Sequence, residues 1–330
     1  MNSSKVLITG INGFVGQHMC SYLLELGYQI IGVVRTSKTF TKHAQLHFEQ
    51  ADLLAEKEVQ LLIKKTAPDY VIHLAAINDV PTSWANPLST LQTNVMGTCH
   101  LLEAIKKEAK QQIKGILITT SALQYQLNQS IPIHENTSLR PTTPYGWSKL
   151  LQEQVSIAYA ELFNLPIIIA RTFNLFGPGP TQGVNGKIAQ RIVEMEAGLT
   201  VPILPMGNDE IERDFLDVRD AVKAYWSLLT RYTNQEEERK HDSSQKIFPG
   251  EIFNVCSGRH QSMKELVEIY QKYAKIPFSI KQDPELLRIN EPTRIIGDRN
   301  KITAYTGWNP QIPIQQTIKD TLEYYRNNQK

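Results

Sequence analysis

The chain is poor in cysteine and lacks the clusters of residues that bind metals. Only three of its 330 residues are cysteines, and they stand far apart in apolar surroundings, at Cys20, Cys99 and Cys256. We therefore expect free structural thiols in a reducing cytoplasm rather than a disulfide framework. No Cys/His group has the spacing of metal ligands, so we expect no metal site.

Long apolar runs and an excess of charge of one sign are also missing. No segment approaches the roughly 20 continuous apolar residues of a membrane helix, and the first apolar run begins so early that no signal peptide is expected. Lys and Arg total 35 against 33 Asp and Glu, a net charge of +2, which offers no basic surface for nucleic acid. A soluble globular protein of one large or two modest domains is the class that remains.

Apolar, β-rich runs alternate with helical patterns in the first half of the chain. The expected strands are 6–9, 29–34, 70–74, 115–119 and 166–171. The expected helices are 14–26, 56–65, 88–107 and 143–163. This alternation predicts an α/β fold, a doubly wound parallel sheet with helices on both faces, whose ligands lie beyond the carboxyl ends of the strands.

The pattern changes after Phe173. A Gly/Pro-rich loop is followed by shorter helical and strand patterns, and the polar segment 232–248 is typical of a solvated surface insertion. We expect two domains, with boundaries at 1–175 plus about 214–257 and the C-terminal helix for the first, and about 176–213 plus 258–312 for a smaller α/β lobe that binds the substrate.

A glycine-rich turn joins the first strand to the first helix. Gly10, Gly13 and Gly16 follow the apolar run 6–8 in a Gly-x-x-Gly-x-x-Gly spacing. The first glycine permits a tight turn, the second a close approach to a pyrophosphate, and the third close packing of the helix on its strand. The helix N-terminus offers N–H groups to the phosphates. The turn predicts a dinucleotide site, with a tight turn that binds no ligand as the alternative.

Tyr145 and Lys149 stand four residues apart at the start of a helical pattern, so they share one helix face. A free Tyr has a pKa of about 10 and is a poor acid–base group at neutral pH, but a nearby ammonium lowers that pKa. Tyr145 would then protonate a carbonyl oxygen while a hydride reaches its carbon. Alone, the pair is also compatible with an ordinary surface helix.

The glycine turn and the Tyr145-x-x-x-Lys149 pair together resemble the extended short-chain dehydrogenase/reductases. More narrowly, they resemble their nucleotide-sugar epimerase/dehydratase/reductase group. Further matching stretches run along nearly the whole chain, at 52–53, 73–76, 94–98, 119–122, 171–174, 213–220 and 306–308. The resemblance implies a Rossmann-type NAD(P)-binding domain beside the smaller substrate-binding lobe.

The resemblance also implies a role for each matching residue. Ser121 would hydrogen-bond the substrate oxygen, Tyr145 would be the acid, and Lys149 would bind the nicotinamide ribose while lowering the Tyr145 pKa. Asn94 would support the active-site helix. The residues expected at the cofactor are Gly10, Asn12, Gly13, Phe14, Val15, Gly16, Arg35, Ser37, Asp52, Leu53, Leu74, Ala75, Ala76, Asn94, Thr119, Tyr145 and Lys149. The residues expected at the substrate are Asn78, Ser83, Ser121, Gln124, Asn174, Arg213, Arg288 and Glu291.

The end of the second strand bears on the choice of nicotinamide. An NAD enzyme usually has Asp or Glu there to accept hydrogen bonds from the ribose 2′-hydroxyl, whereas this chain has Arg35, with Ser37 and Lys38 nearby. Cations and hydroxyls suit a 2′-phosphate. We therefore expect NADPH, with NAD as the alternative if Arg35 only stacks on the adenine.

The residues after Ser121 bear on the reaction. The family's 4,6-dehydratases carry an Asp-Glu pair there, whereas this chain has Ala122-Leu123-Gln124, so dehydration is disfavoured. We expect NADPH-dependent reduction of the 4-keto group of a nucleoside-diphosphate-4-keto-6-deoxyhexose. The rivals are an NAD-dependent UDP-sugar 4-epimerase and a non-catalytic NADP-sensing protein.

Two blocks, 213–220 and 253–258, look most like those of GDP-4-keto-6-deoxymannose reductases, although Gln126 and Ile289 stand where Gly and Pro are usual. The base (GDP, UDP or dTDP), the stereochemistry at C4 and an N-acetyl group at C2 therefore stay open. By resemblance, a homodimer is expected through a bundle of the helices near 88–107 and 143–163. Burial against the sheet also explains their many apolar residues.

Overall fold

The structure is a computed structural model, and it describes residues 4–36, 43–127, 132–181, 183–234, 247–287 and 292–328. The strands in these ranges are β1 (Lys5–Thr9), β2 (Gln29–Val34), β3 (Leu46–Gln50), β4 (Tyr70–His73), β5 (Gly115–Ser121), β6 (Ile167–Thr172), β7 (Asn174–Phe176), β8 (Ile203–Met206), β9 (Glu212–Arg213), β10 (Phe215–Asp217), β11 (Glu251–Val255), β12 (Gln261–Ser262), β13 (Ser279–Gln282) and β14 (Arg294–Ile295). The helices are α1 (Phe14–Glu25), α2 (Glu56–Thr66), α3 (Val80–Ala85), α4 (Pro87–Leu91), α5 (Gly97–Glu108), α6 (Pro144–Phe163), α7 (Val184–Glu196), α8 (Val218–Asn234), α9 (Met263–Tyr273), α10 (Asn300–Thr306) and α11 (Ile314–Asn327).

The main sheet has seven strands in the order β11-β6-β5-β4-β1-β2-β3, and every neighbouring pair is parallel. The chain builds outward from β1 to β3 on one side and then from β4 to β6 on the other. The order therefore reverses between β1 and β4, which is where open α/β sheets bind their ligands. The predicted doubly wound, Rossmann-type α/β fold is confirmed.

Apolar residues cover both faces of this sheet. On one face, α1, α8 and α10 pack on the strands through residues such as Leu23, Leu229 and Ile302. On the other face, α2, α5 and α6 contribute residues such as Ile63 and Leu101. Burial on both sides explains why the central strands are nearly continuous apolar runs, and it is why the sequence located them within two residues at either end.

The sequence missed β3 because β3 lies at the edge of the sheet and mixes His47, Glu49 and Gln50 with apolar residues. The predicted helix over 88–107 also differs, because α4 and α5 are joined by a π-helical turn over Gln92–Met96. Such turns insert a residue into a helix and are frequent at functional sites. Here the turn contains Asn94, whose side chain is fully buried.

The second lobe has an apolar core of its own, formed by α7, α9 and short strands, with residues such as Ile192, Leu204 and Leu266. The C-terminal helix α11 packs into this core through Ile318 and Leu322. We expected α11 to belong to the first domain. The packing of α11 contradicts that assignment, because the apolar stripe of this helix faces α7 and α9. The remaining domain boundaries stay predictions.

Candidate active site

The glycine turn after β1 has the shape that a dinucleotide site requires. Gly10 has φ +71°, and a Cβ there would stand 2.7 Å from the Ala75 nitrogen. A Cβ on Gly16 would stand 2.3 Å from the Gly10 carbonyl oxygen, so α1 approaches the turn only because this residue is glycine. Asn12 and Gly13 are exposed at the N-terminal end of α1, where backbone N–H groups favour phosphate. The turn therefore fits a pyrophosphate.

The other residues expected at the cofactor follow the carboxyl ends of neighbouring strands. Arg35 directly follows β2 and is exposed, and the segment 74–76 directly follows β4. Asp52 follows β3, and its carboxylate accepts a hydrogen bond from the Leu54 nitrogen at 2.9 Å. The carboxyl ends of these strands lie on the same side of the sheet as the glycine turn, which follows the carboxyl end of β1. Ser37, also expected here, lies outside the described residues.

Apolar side chains flank the same edge. Val15 packs on the core beneath α1, and Leu53 packs on the core beneath α2 and α5. The Phe14 ring meets the His18 ring edge-on, with centroids 5.7 Å apart. A Cβ on Gly179 would lie 2.9 Å from the Phe14 ring, so the Gly/Pro-rich loop packs directly on the start of α1.

Ser121, Tyr145 and Lys149 come together at the carboxyl end of β5. Ser121 is the last residue of β5, and α6, which carries Tyr145 and Lys149, packs on this strand. The three residues are 7%, 8% and 4% exposed, so the pair does not lie on an ordinary surface helix face. The Lys149 ammonium donates hydrogen bonds to the Thr119 carbonyl oxygen at 2.9 Å and to Gln152 Oε1 at 2.8 Å.

Local chemistry fixes where α6 begins. The Thr143 hydroxyl caps the helix by accepting a hydrogen bond from the Gly146 nitrogen at 3.0 Å, and Pro144 is the first helical residue. The Ser83 hydroxyl accepts a hydrogen bond from the Tyr145 nitrogen at 3.1 Å. We expected Ser83 in a loop facing the sugar. It lies instead on α3, fully buried, where it holds the start of α6.

The structure gives the acid–base pair pKa values that differ from the expectation. Burial raises the pKa of Tyr145 to about 12, while its hydrogen bond with Ser121 acts in the opposite direction. Burial lowers the pKa of Lys149 to about 7. We expected a net lowering of the Tyr145 pKa, whereas the net shift is upward, because the loss of hydration outweighs the hydrogen bond with Ser121. Tyr145 is protonated at neutral pH.

Asn94 joins the loop after β4 to α6. Its side-chain oxygen accepts a hydrogen bond from the Ile77 nitrogen at 2.8 Å, and its side-chain nitrogen donates to the Ile77 carbonyl oxygen and to Ser148 Oγ. Ser148 in turn donates to the Tyr145 carbonyl oxygen. Asn94 therefore ties the loop after β4 to α6, the helix that carries Tyr145 and Lys149.

Gln124 does not take the position that we expected. It is fully buried, and its side-chain nitrogen donates to Glu153 Oε2 at 2.5 Å. Glu153 is also buried and forms a bidentate pair with Arg171, whose Nη1 donates to the Tyr125 hydroxyl. The prediction that Gln124 faces the sugar is wrong, because this buried carboxylate draws the amide inward.

Of the remaining residues expected at the substrate, one follows β4 and two lie on the short strands β7 and β9. Asn78 is exposed in the loop after β4. Asn174 is exposed on β7, and its side-chain nitrogen donates to the Asp214 carbonyl oxygen at 3.1 Å. Arg213 is 8% exposed on β9, and its Nη1 donates to the Glu212 carbonyl oxygen at 2.9 Å. Arg288 and Glu291 lie outside the described residues.

Several buried residues of the site were given no role from the sequence. The pair of Glu153 and Arg171 is one example. Glu153 could have been noticed from the helical spacing, because it lies four residues after Lys149 on the same face of α6. His73 is another: it is 1% exposed, and its ring bonds Thr9 Oγ1 at 2.7 Å. Burial, and to a lesser degree the charge of Lys149, lower its pKa to about 3.

The parallel sheet, the glycine turn and the buried Ser–Tyr–Lys set define a dinucleotide-dependent oxidoreductase of the short-chain dehydrogenase/reductase type. A family model described as GDP-mannose 4,6 dehydratase matches residues 7–321, and the chain belongs to this family. The predicted family is thereby confirmed. Among the described residues no helix is long and apolar enough to span a membrane, and no group of three or more His, Cys, Asp or Glu would hold a metal.

The chain is similar to nucleotide-sugar enzymes over nearly its whole length. It is 31% identical to a GDP-6-deoxy-D-mannose reductase of Pseudomonas aeruginosa, over 97% of the chain and 96% of the relative. It is 27% identical to a UDP-glucose 4-epimerase of Halalkalibacterium halodurans, over 95% and 92%. A solved structure of RMD from Pseudomonas aeruginosa, complexed with NADPH, has a TM-score of 0.81 at 30% identity and covers 98% of this chain and 99% of that one. The prediction of an enzyme of nucleotide-sugar metabolism is confirmed at the level of the family.

Proposed function

We propose that the chain is an NADPH-dependent reductase of the 4-keto group of a nucleoside-diphosphate-4-keto-6-deoxyhexose. The observation that carries the proposal is the meeting of Ser121, Tyr145 and Lys149 beside the glycine turn. The residues after Ser121 form a short 3-10 turn without a carboxylate, and Gln124 within it is directed to Glu153. Net reduction therefore suits the site better than dehydration. The relative named GDP-6-deoxy-D-mannose reductase supports the same reaction and a GDP sugar.

Each of the three residues has a distinct task in this reaction. A bound NADPH would supply the hydride that reduces sugar C4. Tyr145 donates its phenolic proton to the sugar O4 as negative charge develops there, and it holds this proton at neutral pH because its pKa is about 12. Ser121 donates a hydrogen bond to the same oxygen. The Lys149 ammonium stabilises the phenolate that Tyr145 becomes. Hydride and proton together convert the ketone into a secondary alcohol.

The preference for NADPH rests on Arg35. It is exposed directly after β2, at the edge where the adenosine ribose of a dinucleotide lies. A guanidinium pairs well with a 2′-phosphate. The NADPH bound in the neighbouring structure supports this choice. Replacing Arg35 by Asp should reverse the ratio of kcat/KM for NADPH over NADH, and a preference for NADH in both proteins would contradict the assignment.

Substrate contacts are proposed for Asn78, which follows the carboxyl end of β4, and for Asn174 and Arg213, which are linked through the Asn174 hydrogen bond to the Asp214 carbonyl oxygen. Arg213 is the proposed clamp for a phosphate of the nucleotide sugar, because a guanidinium makes charge-assisted bonds to phosphate. The roles of Arg288 and Glu291 at the nucleotide remain proposals from the resemblance alone.

We also propose a homodimer through a helix bundle. Large apolar side chains are exposed on α3, α4 and α6, which pack on one another: Trp84, Leu88, Trp147 and Leu151 are between 42% and 67% exposed. Burying them against a second copy would remove apolar surface from water. Sedimentation velocity should give a dimer for the unchanged protein and a monomer for Leu88→Glu. A cytoplasmic location is the matching proposal for compartment, supported by the three free thiols.

One assay tests the function. The protein is incubated with NADPH and GDP-, dTDP- and UDP-4-keto-6-deoxy sugars, and the products are identified by NMR. We expect one molecule of NADPH consumed for each 4-hydroxy sugar formed. The proposal would be contradicted if NADPH were consumed with none of the sugars in the panel.

A UDP-sugar 4-epimerase is the second candidate, favoured by the epimerase relative that covers 95% of the chain. The same Ser, Tyr and Lys would serve a reversible hydride transfer. That reaction requires tightly held NAD. Copurified NAD, together with conversion of UDP-glucose to UDP-galactose without added cofactor, would favour the epimerase over the reductase.

A further inference from the structure

A buried side-chain amide is hydrogen-bonded to the Lys149 ammonium. Gln152 is fully buried on α6, less than one turn beyond Lys149. Its Oε1 accepts the hydrogen bond from Lys149 Nζ at 2.8 Å, and its Nε2 donates to Thr98 Oγ1 at 2.9 Å. Gln152 therefore connects the ammonium to the start of α5.

The hydrogen bonds of Thr98 fix which way this amide points. The Thr98 hydroxyl donates its one proton to the Asn94 carbonyl oxygen at 2.7 Å. Its oxygen can then only accept, both from Gln152 and from His73 Nε2 at 2.9 Å. The amide nitrogen must face Thr98, so the amide oxygen must face Lys149.

The same network reaches the cofactor edge of the sheet. Since His73 donates through Nε2, its Nδ1 is the acceptor for the Thr9 hydroxyl at 2.7 Å. The Thr9 oxygen accepts from the Ala75 nitrogen at 3.2 Å, in the segment that follows β4. Lys149 and the backbone beside the glycine turn are thus held by one chain of hydrogen bonds.

In the described elements packed around Lys149, no carboxylate forms an ion pair with its ammonium. Glu153, the next residue on α6, is occupied by Arg171 of β6 and by Thr120 and Gln124. The titratable neighbours that remain are Tyr145 on α6 and His73 on β4, and both are neutral near pH 7.

Glu103 of α5 lies at the far end of α6, where it bonds the Tyr159 hydroxyl. The ammonium of Lys149 therefore has neutral oxygen atoms as its hydrogen-bond acceptors.

We propose that Gln152 is a positioning residue of the reaction, whose neutral amide holds the Lys149 ammonium in place without cancelling its charge. This inference rests on the proposed role of Lys149. A carboxylate at position 152 would pair with the ammonium and reduce its effect on the Tyr145 phenolate. An apolar residue there would remove one of the two acceptors that hold the ammonium. The amide orients the charge and leaves it available.

Two substitutions at position 152 should move Lys149 in opposite directions. In Gln152→Glu the added negative charge should raise the midpoint of the Lys149 titration by about one pH unit or more. In Gln152→Met, which is of similar size, the midpoint should fall because an acceptor is lost. The measurement is ¹³C NMR of lysine labelled at Cε, without added cofactor. The Lys149 signal is assigned by its absence from Lys149→Met.

Kinetics supply a second readout. Both variants should lose about 10- to 100-fold in kcat, while KM for the keto sugar changes little, because Gln152 touches Lys149 and not the substrate. Ser156→Ala is the matched control. Its hydroxyl bonds the Gln152 carbonyl oxygen on the same helix, so it should leave the midpoint and kcat unchanged.

Midpoints that stay equal, or that move in the same direction, in folded Gln152→Glu and Gln152→Met would overturn the proposal. If either variant fails to fold, Thr98→Val tests the same chain, because the amide loses the partner that orients it. The Lys149 midpoint should then fall, and an unchanged midpoint would overturn the proposal. The NMR titration needs no substrate. A failure of the proposed reductase activity is therefore distinguishable from a failure of this inference.

Discussion

Arg171 and Glu153 form a bidentate ion pair inside the protein, with Arg171 Nη2 2.6 Å from Glu153 Oε1 and Nε 2.9 Å from Oε2. Both side chains are almost completely buried. The pair ties β6 to α6, the helix that carries Tyr145 and Lys149. Two charges removed from water in this way are stable only as long as both are present.

Removing one charge of this pair should destabilise the fold. We expect Glu153→Gln to lower the free energy of unfolding by about 3–5 kcal/mol, because Arg171 then lacks its counter-charge. Urea unfolding followed by circular dichroism measures the loss. Lys65→Ala is the control, since the Lys65 pair with Glu49 is exposed and should contribute less than about 1 kcal/mol. Equal small losses in both variants would contradict the prediction.

His73 should make the stability depend on pH. Its pKa falls from the ordinary 6.5 to about 3 on burial, so its contribution is complete above pH 6.5 and is lost as the pH falls toward 3. Between these values the free energy of unfolding should fall by about 1.4 kcal/mol per pH unit from this residue. The contribution of Asp214 to stability changes with pH in the opposite direction, since burial raises its pKa to about 6.

Comparison with His73→Gln isolates the histidine, because the Asp214 contribution is common to both proteins. The two curves of unfolding free energy against pH should converge as the pH falls from 6.5 to 4. Parallel curves over this range would show that His73 does not titrate as its burial predicts.

Loss of the Tyr145 hydroxyl should stop proton donation and leave the cofactor site intact. We expect Tyr145→Phe to lose about 10²- to 10⁴-fold in kcat, because general acid catalysis contributes this much. NADPH affinity, measured by nucleotide fluorescence, should change little. Full turnover in the variant would exclude Tyr145 as the acid.

The protonation of Lys149 should set the alkaline side of the pH profile. Burial lowers its pKa to about 7, and only the charged form stabilises the phenolate. The value of kcat/KM for NADPH, which reports groups of the free enzyme, should therefore fall as the pH rises through about 7. Lys149→Arg should move this limb to higher pH, because a guanidinium stays charged. If kcat/KM fell at the same pH in the Arg variant, the fall would have to come from a group other than residue 149.

Most strands of the sheet, the glycine turn and the spacing of Tyr145 and Lys149 could be predicted from the sequence alone. These features are local: buried strands are apolar runs, Gly10 and Gly16 are spaced for a turn against a helix, and Tyr145 and Lys149 are four residues apart. Each is visible without knowing what lies across the fold. For the same reason β3 escaped, since an edge strand has no continuous apolar run.

The surroundings of those residues, in contrast, depend on how the chain folds. Gln124 turns inward because Glu153, distant in sequence, lies buried beside it. The pKa of Tyr145 rises rather than falls because the packing of α6 on β5 removes water from the phenol. The chain of hydrogen bonds from Lys149 through Gln152 to Thr9 joins four elements of the fold. Its hydrogen bonds depend on distances between residues that only folding brings together.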